Sequence, residues 1–315
     1  MNNRFDEIIG QDTAKRFVST AVKKDNLYNF LFTGPRGVGK RVFGFALAKI
    51  LHCPPGSPGF TLIVPIPSKI KNKEEKIQEY TNRYLPENPV VEFEDRAAIL
   101  IEQIRNLIMK LMHMPQKGSR RVVLILEADK MTDAAANCFL KTLEEPPLDT
   151  FFILTSSRPN FLLPTIRSRC RKIPFGYLSN EQIKNIIFGE EDNFLLGSPG
   201  EILALQLNDS IDYAFSILKK TPLSEKTAAA AAREYEGKKI IDLLYPLLLF
   251  YRLVLYRKFN LSLNTPYEKI IKKKAESLSV KTIIETLLML NNSINALEHN
   301  PNQLLHLFSI FSKLP

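Results

Sequence analysis

The chain has 315 residues, 45% of them hydrophobic and 24% charged, which excludes disordered, collagen-like and coiled-coil classes and leaves room for two or three domains. Its longest apolar run, residues 243–251, stops at Arg252, far short of the roughly 20 apolar residues of a membrane helix, so no membrane partner is expected. The net charge of +10 favours a polyanionic partner such as nucleic acid without naming one.

The first residues carry no basic stretch leading into an apolar one, so no secretory signal is expected and a cytoplasmic location is the default. From Phe5 to about Phe175, helical stretches alternate with short apolar runs at residues 30–32, 122–126 and 151–154. Such runs predict buried parallel strands of an α/β layer fold. Residues 53 to about 91 interrupt that plan with Pro54, Pro55, Pro58, Pro65, Pro67 and a charged run at 69–76, which predicts a surface-exposed inserted loop or hairpin. Beyond Phe175 the strand signals stop and apolar residues recur at helical spacing: Ile183, Ile186, Ile187, then Ile202, Leu203, Leu205, later Leu243, Leu244, Leu247 and Leu248. The alanine-rich tract 227–233 reads as helix.

Cys53, Cys138 and Cys170 are widely spaced and form no Cys-x-x-Cys pair, so neither a disulfide framework nor a cysteine-built zinc site is expected. His52 beside Cys53 adds at most one ligand, and the two read better as a packed pair.

After the apolar run at 30–32 comes Gly34-Pro35-Arg36-Gly37-Val38-Gly39-Lys40, then a helical stretch. Glycines let backbone amides turn towards phosphate oxygens, a lysine reaches the β/γ-phosphates, and a helix N-terminus adds its dipole. The next position, where a Ser or Thr hydroxyl ligates magnesium, is Arg41. A hydrolysing P-loop also needs an acidic pair at the end of a second strand. Aligning Glu127 with the water-polarising place leaves Leu126 in the magnesium place. Asp129 is either a shifted ligand or, better, a solvent-facing or helix-capping residue. Lys40 either still binds nucleotide or supports the fold.

The run Thr132-Asp133-Ala134-Ala135-Ala136-Asn137-Cys138-Phe139-Leu140-Lys141-Thr142-Leu143-Glu144-Glu145-Pro146-Pro147, the Ser168-Arg169-Cys170 triplet, and Phe5-Asp6-Glu7-Ile8-Ile9-Gly10-Gln11 ahead of the P-loop together closely resemble the clamp-loader branch of the AAA+ ATPases. The resemblance implies a P-loop α/β domain over 1–175, a small helical lid over 176–207 and a helical collar for oligomerisation over 208–315. The insertion at about 53–91 stands in place of a four-cysteine zinc module of which only Cys53 remains, so no metal is expected.

Within that branch, Arg41 and Leu126 look like the non-hydrolysing delta prime subfamily. A third loss falls at Gly200 or Glu201, where hydrolysing members place a γ-phosphate-sensing arginine. The resemblance makes Arg169 an arginine finger acting on ATP held by a neighbouring subunit, with Ser168 and Cys170 positioning it; the other reading of Arg169 is an ion pair with a local carboxylate. It implies tau/gamma ATPase subunits, the delta subunit, the sliding clamp and primed DNA as partners, with no cofactor required and ATP binding left open. Lys130 and Thr132 are DNA-phosphate candidates, Thr132 equally a plain helix cap. The alternative is an active AAA+ ATPase, of tau/gamma type or a Holliday-junction motor.

Overall fold

The computed structural model describes residues 5, 7–24, 28–67, 73–88, 97–112, 119–186, 198–200, 203, 210–260, 267–297 and 301–315. They belong to two compact units, one of residues 1–187 with 197–201, the other of 188–196 with 202–315.

The first unit contains strands β1 (Phe30–Thr33), β2 (Phe60–Ile63), β3 (Ile66–Pro67), β4 (Ala97–Ala98), β5 (Arg121–Ile125), β6 (Thr150–Ser156) and β7 (Arg171–Pro174). Five of them form a sheet in the order β2-β5-β6-β1-β7, every pairing parallel; β3 and β4 make a separate antiparallel pair. Its helices are α1 (Asp12–Lys23), α2 (Lys40–Ile50), α3 (Lys73–Asn82), α4 (Ile101–Met112), α5 (Asp133–Glu144), α6 (Pro164–Ser168) and α7 (Asn180–Lys184).

Side chains alternate across a strand, and here both faces are covered. Phe30, Phe32, Val122 and Leu124 point into one core with Val18 of α1 and Phe43 and Leu47 of α2. Leu31, Val123 and Ile125 point into the other with Ile104 and Leu107 of α4 and Phe139 of α5. Double coverage is why β1 and β5 read as unbroken apolar runs. The first core is aromatic: Phe43 stacks on Phe5 at 4.6 Å and meets Phe32 and Phe175 edge-on at 5.4 and 5.3 Å. Each fully buried ring contributes about 1.5–3 kcal/mol.

Two sheet edges depart from the sequence expectation. Residues 53–91 are not simply a surface loop: they supply edge strand β2, and Phe60, Ile63, Val64, Ile66 and Tyr84 are buried. The apolar run of this edge strand, residues 62–64, is short and lies between Pro58 and Pro65 in a proline-rich stretch, which masks it. At the other edge β7 buries Ile173 alone.

Every described element of the second unit is helical: α8 (Ile211–Leu218), α9 (Glu225–Glu234), α10 (Ile240–Lys258), α11 (Glu268–Ser277), α12 (Val280–Ala296) and α13 (Gln303–Phe311). α10 packs against α8, α11 and α12, and α9 against α13. Enclosure from several sides explains why α10 is apolar all round. Of the expected lid at 176–207, residues 187–197, 201–202 and 204–207, which include Ile187, Ile202 and Leu205, lie outside the described residues. Among the described residues no helix is long and apolar enough to cross a membrane.

Candidate functional site

β1 delivers the glycine-rich loop to the start of α2. Gly34 has φ 148°, and a Cβ there would lie 2.1 Å from the Phe175 carbonyl oxygen, so only glycine fits. Gly37 and Gly39 have φ 73° and 98°, Gly39 preceding α2 directly. The Lys40 ammonium, 8% exposed, donates to the Gly34 carbonyl at 2.6 Å and to that of Pro35. A second segment clasps the loop: buried Ser198 donates to the Arg36 carbonyl at 2.7 Å, and the Gly200 amide to the Gly37 carbonyl at 3.0 Å. A Cβ on Gly200 would come within 2.8 Å of the Gly37 Cα. Of the two places considered for the sensing arginine, Gly200 therefore lies against the loop backbone, while Glu201 is outside the described residues.

On the metal side, the Arg41 guanidinium donates to the Asn88 carbonyl. Burial chiefly lowers its pKa, opposed by Tyr84 and Glu127. Leu126 is 2% exposed within the first core. Glu127 adopts the left-handed conformation, φ 50°, which a non-glycine residue holds only when its surroundings impose it. Its amide donates to Thr155 Oγ1 at 3.0 Å, and its carboxylate accepts from Tyr84 Oη at 3.1 Å and Lys130 Nζ at 2.6 Å. Burial alone would raise its pKa, but Lys130, Arg36 and these hydrogen bonds together hold it below the usual carboxylate range. The Tyr84 phenol is pushed up, first by burial and then by Glu127.

A magnesium nucleotide needs oxygen ligands here. Position 41 offers a cation, position 126 a hydrocarbon, and Glu127 is committed to Tyr84 and Lys130, so the residues do not fit the ion. Among the described residues no cluster of His, Cys, Asp and Glu suits a metal.

Two sequence expectations need correcting, and one residue was missed. Asp129 is neither solvent-facing nor a helix cap: its side chain is 2% exposed, pairs with Arg158 Nε at 3.3 Å and leaves Oδ1 buried without a hydrogen-bond partner. The Arg158 guanidinium in turn covers the Phe161 ring at 4.9 Å. His52 and Cys53 do not pack as a pair, since His52 is exposed at φ 62° while buried Cys53 approaches the Arg120 carbonyl at 3.1 Å. Tyr84 went unread, because nothing in residues 53–91 signals a tyrosine meeting a glutamate 43 positions on. Thr132 caps α5 by accepting from the Ala135 amide at 3.2 Å, and Lys130 is paired with Glu127.

Arg169 lies elsewhere. It follows α6; its Nη1 donates to the Thr165 carbonyl at 2.8 Å and to Ser168 Oγ at 3.3 Å, and its Nη2 pairs with Glu144 at the end of α5. The fold thus joins the Leu-Glu-Glu-Pro-Pro and Ser-Arg-Cys motifs. Nε is buried without a hydrogen-bond partner, yet the side chain stays 32% exposed. It borders an open cleft of about 590 Å³ with Tyr28, Asn29, Phe151 and Arg171. Burial pushes the Cys170 thiol up to about 12, too high for a nucleophile at neutral pH. The Arg171 amide donates to the Asn29 carbonyl, just before β1 begins, whereas Gly34 follows where β1 ends. At about 3.3 Å per residue, the four residues of β1 hold the two sites roughly 13 Å apart at opposite sheet ends.

Residues 10–179 match the protein family described as DNA polymerase III, delta subunit. The tau subunit of DNA polymerase III from Salmonella typhimurium is 29% identical over 182 residues, 58% of this chain and 27% of the relative. The delta prime subunit from Yersinia pestis is 49% identical over 75 residues, 24% of this chain and 22% of the relative. The matched parts span about a quarter of these curated relatives. A solved structure of a gamma subunit-related protein of DNA polymerase III from Thermotoga maritima aligns over 96% of this chain and 98% of its own, with a TM-score of 0.47 and 19% identity.

Proposed function

The chain belongs to the DNA polymerase III delta-subunit family and is a clamp-loader-type subunit of that polymerase; from that premise we propose that it is the non-hydrolysing, delta prime type member. In this reading it completes the clamp-loader ring, assembles with tau/gamma ATPase subunits and the delta subunit in the cytoplasm, and donates Arg169 to ATP bound by a neighbour. The sliding clamp is then loaded on primed DNA.

The observation that carries the proposal is the placement of Arg169 at the far end of β1 from its own P-loop, facing an open cleft. A guanidinium there serves a phosphate on another chain. Arginine suits the task because its charge is permanent and its donors are bidentate. Arg41 and Leu126 support the non-hydrolysing half of the proposal, since neither ligates magnesium. The tau relatives favour a hydrolysing reading, but that activity requires the oxygen ligands those two positions lack.

The subunit needs no cofactor of its own in this account. Contact with DNA runs through backbone phosphates near the N-terminus of α5, with Lys130 and Thr132 closest to it, and weakens steeply with salt. The test is ATP turnover by the assembled loader with clamp and primed DNA, comparing this chain with its Arg169→Ala variant. Loss of most of the turnover at the served interface is expected, on the scale of 10³ to 10⁵ seen for arginine fingers in GTPases. Unchanged turnover overturns the proposal.

A further inference from the structure

Residues 84–88 reach the altered position 41 and Glu127, the neighbour of altered Leu126, from outside the P-loop. Beyond α3 the chain winds through consecutive tight turns: Tyr84 N to Thr81 O at 3.0 Å, Leu85 N to Asn82 O at 3.2 Å, and Asn88 N to Leu85 O at 3.1 Å. The Asn88 side-chain amide donates back to Asn82 O at 3.2 Å. These bonds fix Tyr84 and Asn88 relative to each other. The Tyr84 phenol, 2% exposed, then donates to Glu127, and the Asn88 carbonyl accepts from Arg41. Arg36 of the loop acts electrostatically on both Tyr84 and Glu127.

Magnesium at a phosphate site keeps several waters and demands near-octahedral space. Between residue 41 and the end of β5, that space is bordered here by a buried phenol and a guanidinium-carbonyl bond. We propose that residues 84–88 are a built-in plug of the metal side, which excludes a magnesium-bound adenine nucleotide from this P-loop independently of the missing hydroxyl at position 41. The inference rests on reading the P-loop as non-hydrolysing and assigns a role to the insertion at 53–91. It makes the closed state a property of the intact chain, held by contacts that a point substitution can remove.

The test is equilibrium binding of a fluorescent methylanthraniloyl-ATP with magnesium to the full chain alone. Four proteins are compared: the unaltered chain, Arg41→Thr, Arg41→Thr with Tyr84→Ala, and Arg41→Thr with Tyr84→Leu. Thermal melting verifies that each is folded; Tyr84→Leu keeps an apolar filling and decides the matter if the alanine variant does not fold. The plug predicts negligible binding by the first two, at least tenfold tighter binding with Tyr84→Ala, and an intermediate gain with Tyr84→Leu. Tight binding by the unaltered chain, or equal affinity of Arg41→Thr with and without the folded Tyr84 substitutions, overturns it. Because binding is read on the isolated chain, a loader insensitive to Arg169→Ala sinks the finger and leaves the plug standing, and the reverse result does the opposite.

Discussion

β1 has two chemically different ends. At its carboxyl end, the polar atoms of Lys40, Glu127 and Arg41 are drawn into the chain's own carbonyls, phenol and ammonium group, and a clasp from Ser198 and Gly200 covers the loop. At its amino end, Arg169 is braced by Thr165, Ser168 and Glu144 yet keeps a third of its side chain exposed beside an open cleft. The same P-loop scaffold has one end whose polar groups are satisfied from within the chain and another that faces outward. On the proposed function, the motif persists for its packing while the residue that serves a neighbour sits at the opposite end of the strand.

The comparison predicts that substitutions at the loop end cost stability and those at the cleft end cost function. Phe43→Ala removes a ring in contact with Phe5, Phe32 and Phe175 and should destabilise the first unit by about 3–5 kcal/mol in urea unfolding. Gly34→Ala forces a Cβ against the Phe175 carbonyl at a strained φ, and a loss of about 3 kcal/mol in the same measurement is expected. Arg169→Ala should cost less than about 1 kcal/mol, since its partly exposed ion pair contributes little to stability. A larger loss there would blur the contrast between the two ends.

Glu127 sharpens the comparison through pH. Its folded pKa is held below its unfolded value, so its stabilising contribution is present above the unfolded carboxyl pKa of about 4.3 and is lost as pH falls through the lower folded value. The stability difference between the chain and Glu127→Gln should narrow across that descent, by less than about 1 kcal/mol in all. A difference independent of pH would mean that the contacts with Lys130 and Tyr84 do not favour the charged carboxylate.

How much of this was legible depended on whether the cause was local. β1, β5 and β6 are buried on both faces and announce themselves as apolar runs; at the sheet edges β7 does not, and the short run 62–64 of β2 is masked by the prolines around it. The helix at 225–234 follows from the alanine-rich tract 227–233. The losses at Arg41 and Leu126 are visible because a P-loop fixes which residue type each position needs. What fills the site in their place is not, because Tyr84 and Asn88 arrive by folding from a distant stretch with no spacing rule, whereas the resemblance itself singles out position 200. The pair Asp129–Arg158, separated by 29 positions, is hidden in the same way, whereas an ion pair with a local carboxylate is one of the two sequence readings of Arg169, and Glu144 supplies it.

The most direct measurement sets the two ends of β1 against each other in one assembled loader, with ATP turnover followed in the presence of clamp and primed DNA. One assembly carries this chain with Lys40→Met, the other with Arg169→Ala. The account predicts turnover within about twofold of the unaltered assembly for the first, and a loss of roughly 10³-fold or more at the served interface for the second. Collapse with Lys40→Met while Arg169→Ala remains active would contradict it, and would place the working end of the molecule back at its own P-loop.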